Sequence, residues 1–374
     1  MIVGVPKEIK KDEHRIALAP AAVEAISAAG HTVLIQKGAG FGAGIEDRAY
    51  IAVGANIVAR ADAVWRRSGM IVKVKEPLRP EFSRMREGLI LFAFLHLAAS
   101  KPLARALLQK RVQAVAFETI RTEDGALPLL QPMSEIAGRM AVQEGARFLE
   151  KTMGGRGVLL AGAPGVPRGN VVILGAGMVG KNAAKIAVGL GAGVTVLDID
   201  HNRLQYLDDI FGGRVKTIAS TRFTIREAVR EADLLVGAVL VPGARAPILV
   251  PRSLVKEMLP GSVIVDVAVD QGGCVETIKP TYHSRPTYLV DRVIHYGVAN
   301  MPGGVPRTST FALSSAILPY VIELANAGLT GAVRANLELA KGVNAAGGRI
   351  THPAVAEALG VECAPLDEVM QEDS

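Results

Sequence analysis

The segment Gly175-Ala176-Gly177-Met178-Val179-Gly180 sets tight limits on the fold. Alone, G-x-G-x-x-G is a weak signal. Here it directly follows the aliphatic run 171–174 and opens an Ala-rich helical stretch, 179–190. A strand, a glycine turn and a helix in that order form the phosphate-binding start of a βαβ unit. Gly175 makes the tight turn, Gly177 lets the main chain approach a pyrophosphate, and Gly180 lets helix and strand pack closely. The positive end of the helix dipole then favours the anion. The next strand-like run ends in Val196-Leu197-Asp198, 18 residues after Gly180. The dinucleotide fingerprint places an acid ~20 residues on, where it accepts hydrogen bonds from a ribose 2′-OH and repels a 2′-phosphate. The spacing therefore predicts NAD in preference to NADP. Arg203, shortly after Asp198, is placed either to stack on an adenine or to point into solvent from a helix.

Similar alternation runs through the rest of the chain. Runs at 2–5, 32–35, 70–74, 89–94 and 114–117 read as strands, with helices at 20–29 and 101–109. Pro20 opens the first of these helices and Gly30 lies just past its end. A long helical pattern at 133–153 leads into a Gly/Pro-rich break at 154–169. A second series of runs follows at 170–174, 193–197, 215–218, 234–237, 262–266 and 287–290. Strands alternating with helices predict parallel sheets with crossover helices. The second series has the content of one doubly wound dinucleotide-binding sheet.

After a Gly/Pro stretch at 300–307 come a helix at 308–327 and a mostly helical tail, too short for a secure core of its own. The chain of 374 residues is long enough for two domains. The expected fold class is α/β with two doubly wound domains and a cleft between them. Residues 1–130 with 305–374 form a discontinuous substrate-binding, catalytic domain, and residues 131–304 form a Rossmann NAD-binding domain. The end of the chain carries Glu362, Asp367, Glu368, Glu372 and Asp373 without Lys or Arg, and reads as a solvated tail.

Charge and composition narrow the partners. Aromatic residues make up 4% of the chain, and the net charge of +6 comes from dispersed basic residues. The interleaving of basic and aromatic groups that single-stranded nucleic acids need is missing, so no nucleic-acid partner is expected. A dispersed positive charge suits a small anionic substrate or a phosphate-bearing cofactor. Two cysteines, Cys274 and Cys363, cannot build a disulfide framework, which points to a reducing compartment. The N-terminus meets Lys7 and Glu8 at once, unlike a signal peptide. The uncharged stretch 308–322 is shorter than the ~18–20 residues that span a bilayer, and Pro319 interrupts it. A soluble, cytoplasmic protein with no membrane partner is expected. No His, Cys and carboxylate cluster has metal-ligand spacing, so no metal is expected.

Several polar residues sit where parallel sheets bind ligands, at the carboxyl ends of strands. Asp270 lies just past the run 262–266 and precedes Gln271-Gly272-Gly273. It is placed either for chemistry or to close an Asx-turn. Asp266 is still inside the strand and reads as structural. His96 ends an apolar strand, as a satisfied core histidine or as a catalyst. Lys73 and Lys75 share one face by period two, and a Lys ending a buried strand needs an anionic partner, for which Glu76 is available. Arg15, in the loop after the first strand, reads equally as an exposed residue. Spacing alone does not decide among these readings.

Together the segments resemble one family. Gly4-Val5-Pro6-Lys7-Glu8 with Arg15, Val72-Lys73-Val74-Lys75-Glu76-Pro77, Leu95-His96-Leu97-Ala98-Ala99 and Pro132-Met133-Ser134 resemble the first half of alanine dehydrogenases. The glycine loop, Gly237-Ala238-Val239-Leu240-Val241-Pro242-Gly243, Val265-Asp266-Val267-Ala268-Val269-Asp270-Gln271-Gly272-Gly273-Cys274 and His295-Tyr296-Gly297-Val298-Ala299-Asn300-Met301-Pro302-Gly303 resemble the second half. The NAD-binding component of proton-translocating transhydrogenase is a similar relative and supplies the alternative reading, which has no amino-acid substrate. Retention of Arg15, Lys75 and His96 favours the dehydrogenase.

The resemblance implies NAD-dependent, reversible oxidation of L-alanine to pyruvate and ammonium by a homohexamer. It implies that Arg15 and Lys75 hold the substrate carboxylate and that His96 and Asp270 are the acid/base residues. Gly175, Gly177, Met178, Val179 and Gly180 would contact the cofactor with Ser134, Asp198, Arg203, Ser220, Val239, Leu240, Asn300 and Met301. One departure is that Phe92-Ala93-Phe94 lacks the aromatic hydroxyl that the resemblance implies near His96.

Overall fold

Short aliphatic runs without polar alternation become strands that are buried on both faces. The computed structural model describes residues 1–239 and 246–372. It divides into two units, Met1–Met133 with Val305–Ser374, and Ser134–Gly304. The first segment of unit one carries β1 (Ile2–Val5), β2 (Thr32–Gln36), β3 (Asn56–Val58), β4 (Met70–Val72), β5 (Ile90–Ala93) and β6 (Gln113–Ala116). Unit two carries β7 (Asn170–Leu174), β8 (Gly193–Asp198), β9 (Val215–Ala219), β10 (Leu234–Gly237), β11 (Val263–Asp266), β12 (Thr287–Val290) and β13 (Val293–Tyr296). The C-terminal segment returns to unit one with β14 (Val343–Ala346) and β15 (Arg349–Ile350).

Among the described residues, the sheet of unit two has the order β12-β13-β11-β10-β7-β8-β9. It is parallel except for β12, which runs antiparallel along β13. The strand order reverses between β7 and β10, so the glycine loop after β7 leaves the sheet at the switch point where such sheets bind ligands. The sheet of unit one has the order β15-β14-β6-β5-β4-β1-β2-β3. Its reversal lies between β1 and β4, and β14 joins the β6 edge antiparallel.

Four details refine the sequence reading. The run 287–290 is an antiparallel edge, and the sixth parallel strand is β13. The two are joined only by Asp291 and Arg292, both left-handed, at φ 48° and 67°. A turn of this kind normally uses Asn or Gly, so its hairpin signal is absent from the sequence. The tail is mostly helical but also carries a hairpin that the sequence reading lacks: Gly347 and Gly348, at φ 56° and 80°, turn β14 into β15. The helix expected at 308–327 begins at Pro306 and ends where Gly328, at φ 64° and ψ −179°, leaves helical dihedrals, and a second helical stretch runs on to Ala335. The length and apolarity of Pro306–Ala335 would suffice to cross a bilayer, but Leu313, Ile317, Val321 and Leu324 are buried in the unit-one core. Finally, the acidic terminus is not simply a solvated tail. It forms the helix Leu366–Glu372, whose Val369 and Met370 are buried.

Beyond β4 the alternation expected for Lys73 and Lys75 stops, because the strand ends at Val72. The Lys73 ammonium is buried between two carboxylates, 2.9 Å from Glu8 Oε2 and 3.1 Å from Glu81 Oε1. The second oxygen of Glu8 accepts the Val74 N–H at 2.6 Å. The second oxygen of Glu81 accepts the Leu78 N–H at 2.9 Å, at the start of the helix Arg79–Phe82. The triad thus ties the loop after β1 to the loop after β4. Removing one partner of a buried ion cluster leaves uncompensated charge and costs about 3–5 kcal/mol. Lys73→Met is expected to lose stability on that scale in urea unfolding at neutral pH. A loss below about 1 kcal/mol would show that water already reaches the cluster.

Candidate functional site

In unit two the glycine loop is shaped by contacts that leave no room for side chains. Gly175 has φ +104°, and a Cβ there would lie 2.6 Å from Ala238 O. At Gly180 a Cβ would lie 1.8 Å from Gly175 O, so only glycine lets the helix Met178–Gly189 begin this close to β7. Gly177 differs: the nearest atom to an added Cβ is Arg203 Nη1, at 3.9 Å. The open side of the loop is therefore the side that a ligand can approach. An open pocket of about 350 Å³ lies there, lined by Ala176, Gly177, Met178, Lys181, Asn202, Arg203 and Tyr206. Three glycines closing a helix N-terminus around such a space fit a pyrophosphate.

Asp198 ends β8 beside this loop, 7% exposed. Its Oδ2 accepts the Ala176 N–H at 2.5 Å, and its Oδ1 accepts the Asp200 N–H at 2.8 Å. Each oxygen keeps a lone pair, so the carboxylate can brace the loop and still accept a hydroxyl. Asp200 in turn caps the helix His201–Phe211, which carries Arg203. The guanidinium of Arg203 lies 3.3 Å from Asp200 and 4.0 Å from Asp198. Ser220, past β9, donates its N–H to Asp198 O at 2.8 Å. Val239 follows β10 beside the loop after β7, and Ser134 is half-buried in the helix Gln131–Phe148. Leu240 lies outside the described residues, as do Val241, Pro242 and Gly243.

The end of β11 separates its two aspartates. Asp266 is fully buried and accepts N–H bonds from Ala268, Cys274 and Val275 at 2.9, 2.8 and 3.1 Å. Burial pushes its pKa up to about 6, against the pull of those donors. This carboxylate shapes the turn Val267–Gln271. Asp270, in that turn, is exposed, and its Oδ2 accepts a long 3.4 Å bond from Asn300 N. Asn300 has φ 60°, and Met301 beside it is buried.

Unit one places three groups past the carboxyl ends of neighbouring strands. Arg15, in the loop after β1, is buried, not exposed. Glu13 grips its guanidinium at Nε (2.7 Å) and Nη2 (2.6 Å), and Nη1 donates to Met133 Sδ at 3.2 Å. Lys75, after β4, has no carboxylate within ion-pair distance among the described residues, for Glu76 pairs with Lys10 instead. Its ammonium lies 5.9 Å from the centre of the Phe94 ring. Burial and the neighbouring cations Arg15 and Lys10 hold its pKa below the ordinary lysine range. A desolvated ammonium beside a guanidinium is built to receive an anion.

His96, after β5, is neither core nor extended backbone. It is exposed and left-handed, at φ 46° and ψ 42°, a conformation that costs a non-glycine residue about 1–2 kcal/mol. Its ring stacks on Phe94, with centroids 6.0 Å apart. Desolvation by the protein packed around it holds its pKa below the ordinary imidazole value, against the opposing charge of Glu118. The imidazole is thus neutral near pH 7 and able to take a proton.

Within unit two the structure gathers Gly175–Gly180, Asp198, Arg203, Ser220 and Val239 around one loop, and Asp270 with Asn300 at a second. Within unit one it gathers Arg15, Lys75 and His96 along one sheet edge. Sequence reading does not single out Glu13, Glu118, Lys181 or Tyr206. Lys181 sits one turn into the helix that the glycine loop opens, a position the motif itself marks. Nothing in the local sequence marks Glu13 or Glu118, whose partners are main-chain and guanidinium groups.

Residues 4–137 match the family described as Alanine dehydrogenase/PNT, N-terminal domain, and residues 141–353 its C-terminal domain. An alanine dehydrogenase of Methanococcus maripaludis is 55% identical over 373 residues, covering 100% of both chains. One of Bacillus subtilis is 55% identical over 375 residues, covering 100% of this chain and 99% of its own. A solved L-alanine dehydrogenase matches with a TM-score of 0.94 and 56% identity, over 96% of this chain and 99% of that one. A transhydrogenase from Sinorhizobium meliloti matches more distantly, at TM-score 0.81 and 26% identity, over 95% of this chain and 100% of that one. With both halves matched and relatives of the same length at more than half identity, the chain belongs to the alanine dehydrogenase/PNT family.

Proposed function

We propose that this chain is an alanine dehydrogenase that uses NAD to oxidise L-alanine to pyruvate and ammonium, reversibly. The observation that carries the reading is the edge of unit one, where Lys75, with no carboxylate in ion-pair distance among the described residues, lies in the field of the Glu13-braced Arg15 and beside a neutral His96. A transhydrogenase component needs no such anion receptor. The substrates are small molecules; a cytoplasmic homohexamer belongs to the same proposal and rests on the resemblance.

The glycine loop, Asp198 and Arg203 would hold NAD, with Ser134, Ser220, Val239, Asn300 and Met301 as further contacts. When bound, NAD supplies the hydride acceptor. The chain's own residues do the rest. Arg15 and Lys75 hold the substrate carboxylate and so orient the α-carbon. Loss of hydride from alanine with a neutral amine leaves an iminium. His96 removes a proton from the water that attacks it, giving a carbinolamine. Collapse of the carbinolamine moves the hydroxyl proton off and releases ammonia, which leaves as ammonium. Asp270 steadies the developing positive nitrogen.

The direct test is absorbance at 340 nm with L-alanine and NAD, where alanine-dependent NADH is expected and its absence would sink the proposal. In the same assay His96→Ala and Asp270→Ala should each lower kcat by about 10²–10⁴-fold, with NAD affinity nearly unchanged. A His96→Ala protein with parental kcat would return His96 to a packing role.

Lys75→Ala should weaken pyruvate reduction by roughly ten- to hundredfold in kcat/KM, the scale of one charge-assisted hydrogen bond. Near-normal pyruvate kinetics would make Lys75 structural. Asp198→Ala should reduce the NAD-over-NADP preference by about tenfold or more, because a like charge facing the 2′-phosphate is removed. Selectivity equal to the parent's would confine Asp198 to bracing the loop.

A further inference from the structure

Glu118 lies in the short turn Phe117–Thr119 that follows β6, next to the end of β5. Among the described residues its carboxylate makes no ion pair; its partners are main-chain donors. Oε1 accepts the His96 N–H at 2.6 Å, and both oxygens lie 3.2 Å from the Leu95 N. These are the two main-chain donors at which the chain leaves β5 and enters the left-handed conformation of His96. The turn is itself anchored: the Phe117 ring packs edge-on against Phe92 at 4.4 Å and Phe94 at 5.1 Å. Phe94 in turn lies under the His96 imidazole. One aromatic cluster therefore mounts both the carboxylate and the ring.

We propose that Glu118 is a positioning residue for His96: its carboxylate fixes the left-handed main chain that presents the imidazole, and its charge sets how readily the ring takes a proton. This rests on the proposed role of His96 as the base.

The charged groups facing the ring come from three loops. Glu118 and Glu76 favour the imidazolium, whereas Lys75 and Lys10 oppose it. Arg121 and His352 also lie in the field of Glu118 or beside it. Of the charges acting on His96, Glu118 contributes most, so its removal has a defined sign. With that charge gone, the imidazolium loses its main support and the pKa of His96 falls further. The deamination rate needs the neutral ring, so its acidic limb should move to lower pH.

Two substitutions separate geometry from charge. Glu118→Gln keeps an oxygen for the two N–H groups and removes the charge. It should retain most of kcat on the plateau and shift the acidic limb of the kcat profile downward. Glu118→Ala removes the acceptor as well. It should lower kcat by roughly 10–100-fold, the scale of a misplaced catalytic group, with KM for NAD unchanged. In a His96→Ala background neither substitution should lower residual turnover further. A limb that stays in place in Glu118→Gln, with His96→Ala inactive, would overturn the positioning role and leave the proposed base intact. A His96→Ala enzyme with parental turnover would instead overturn the role of His96 as base.

Discussion

Carboxylates that accept main-chain N–H groups hold together the working edges of both sheets. Asp198 takes the N–H groups of Ala176 and Asp200, Asp266 takes three, Glu8 takes that of Val74, and Glu118 takes those of Leu95 and His96. The cause lies in parallel sheets. At their carboxyl ends the strands stop while the loops still expose unpaired N–H donors, and burying such donors unpaired is costly. An ionised oxygen makes stronger hydrogen bonds than a neutral one. A single carboxylate can also serve two or three donors at once. The loops that present functional groups are thereby fixed without regular structure of their own.

The two units use this device with opposite electrical results. In unit two, Asp266 is spent on backbone N–H groups and the Cys274 thiol and stays buried, which leaves Asp270 as the exposed carboxylate of its turn. In unit one, Glu8 and Glu13 are consumed by Lys73 and Arg15. Among the described residues, no carboxylate within ion-pair distance remains for Lys75. A cationic edge beside a neutral imidazole suits a carboxylate substrate. A glycine-closed helix N-terminus suits a phosphate. Each unit is therefore suited to an anion by a different physical means, side-chain charge in one and oriented backbone donors in the other.

Much of this was legible in the sequence, and the illegible parts share a cause. The glycine loop, its flanking strand and helix, and Asp198 form a local pattern, and local patterns are read from spacing. The parallel strands were read from their apolar runs. What spacing could not show is pairing over distance. Strand β14 joins a sheet built more than two hundred residues earlier, from Val115 to Val343, and its Gly347-Gly348 turn into β15 lies in a tail that reads as mostly helical. The left-handed turn at Asp291 and Arg292 conceals β13 because Arg292 stands where such a turn usually has Gly. The conformation of His96 depends on Glu118, 22 residues away, and no local rule connects them.

Lys73 and Lys75 show why residue type and burial alone cannot assign function. They are two positions apart, both follow β4, and both lie away from water. Lys73 meets two carboxylates, which raise its pKa against the effect of burial. Its charge is spent within the fold, and replacing it disturbs stability. Lys75 meets Arg15, Lys10 and an aromatic face, and its pKa falls. The same charge, left unanswered, becomes an affinity for whatever anion enters. The difference arises because Glu8 can neutralise only one ammonium: its Oε2 goes to Lys73, while its Oε1 holds the main chain at Val74. The residue that stabilises the loop thereby determines which lysine is left to bind.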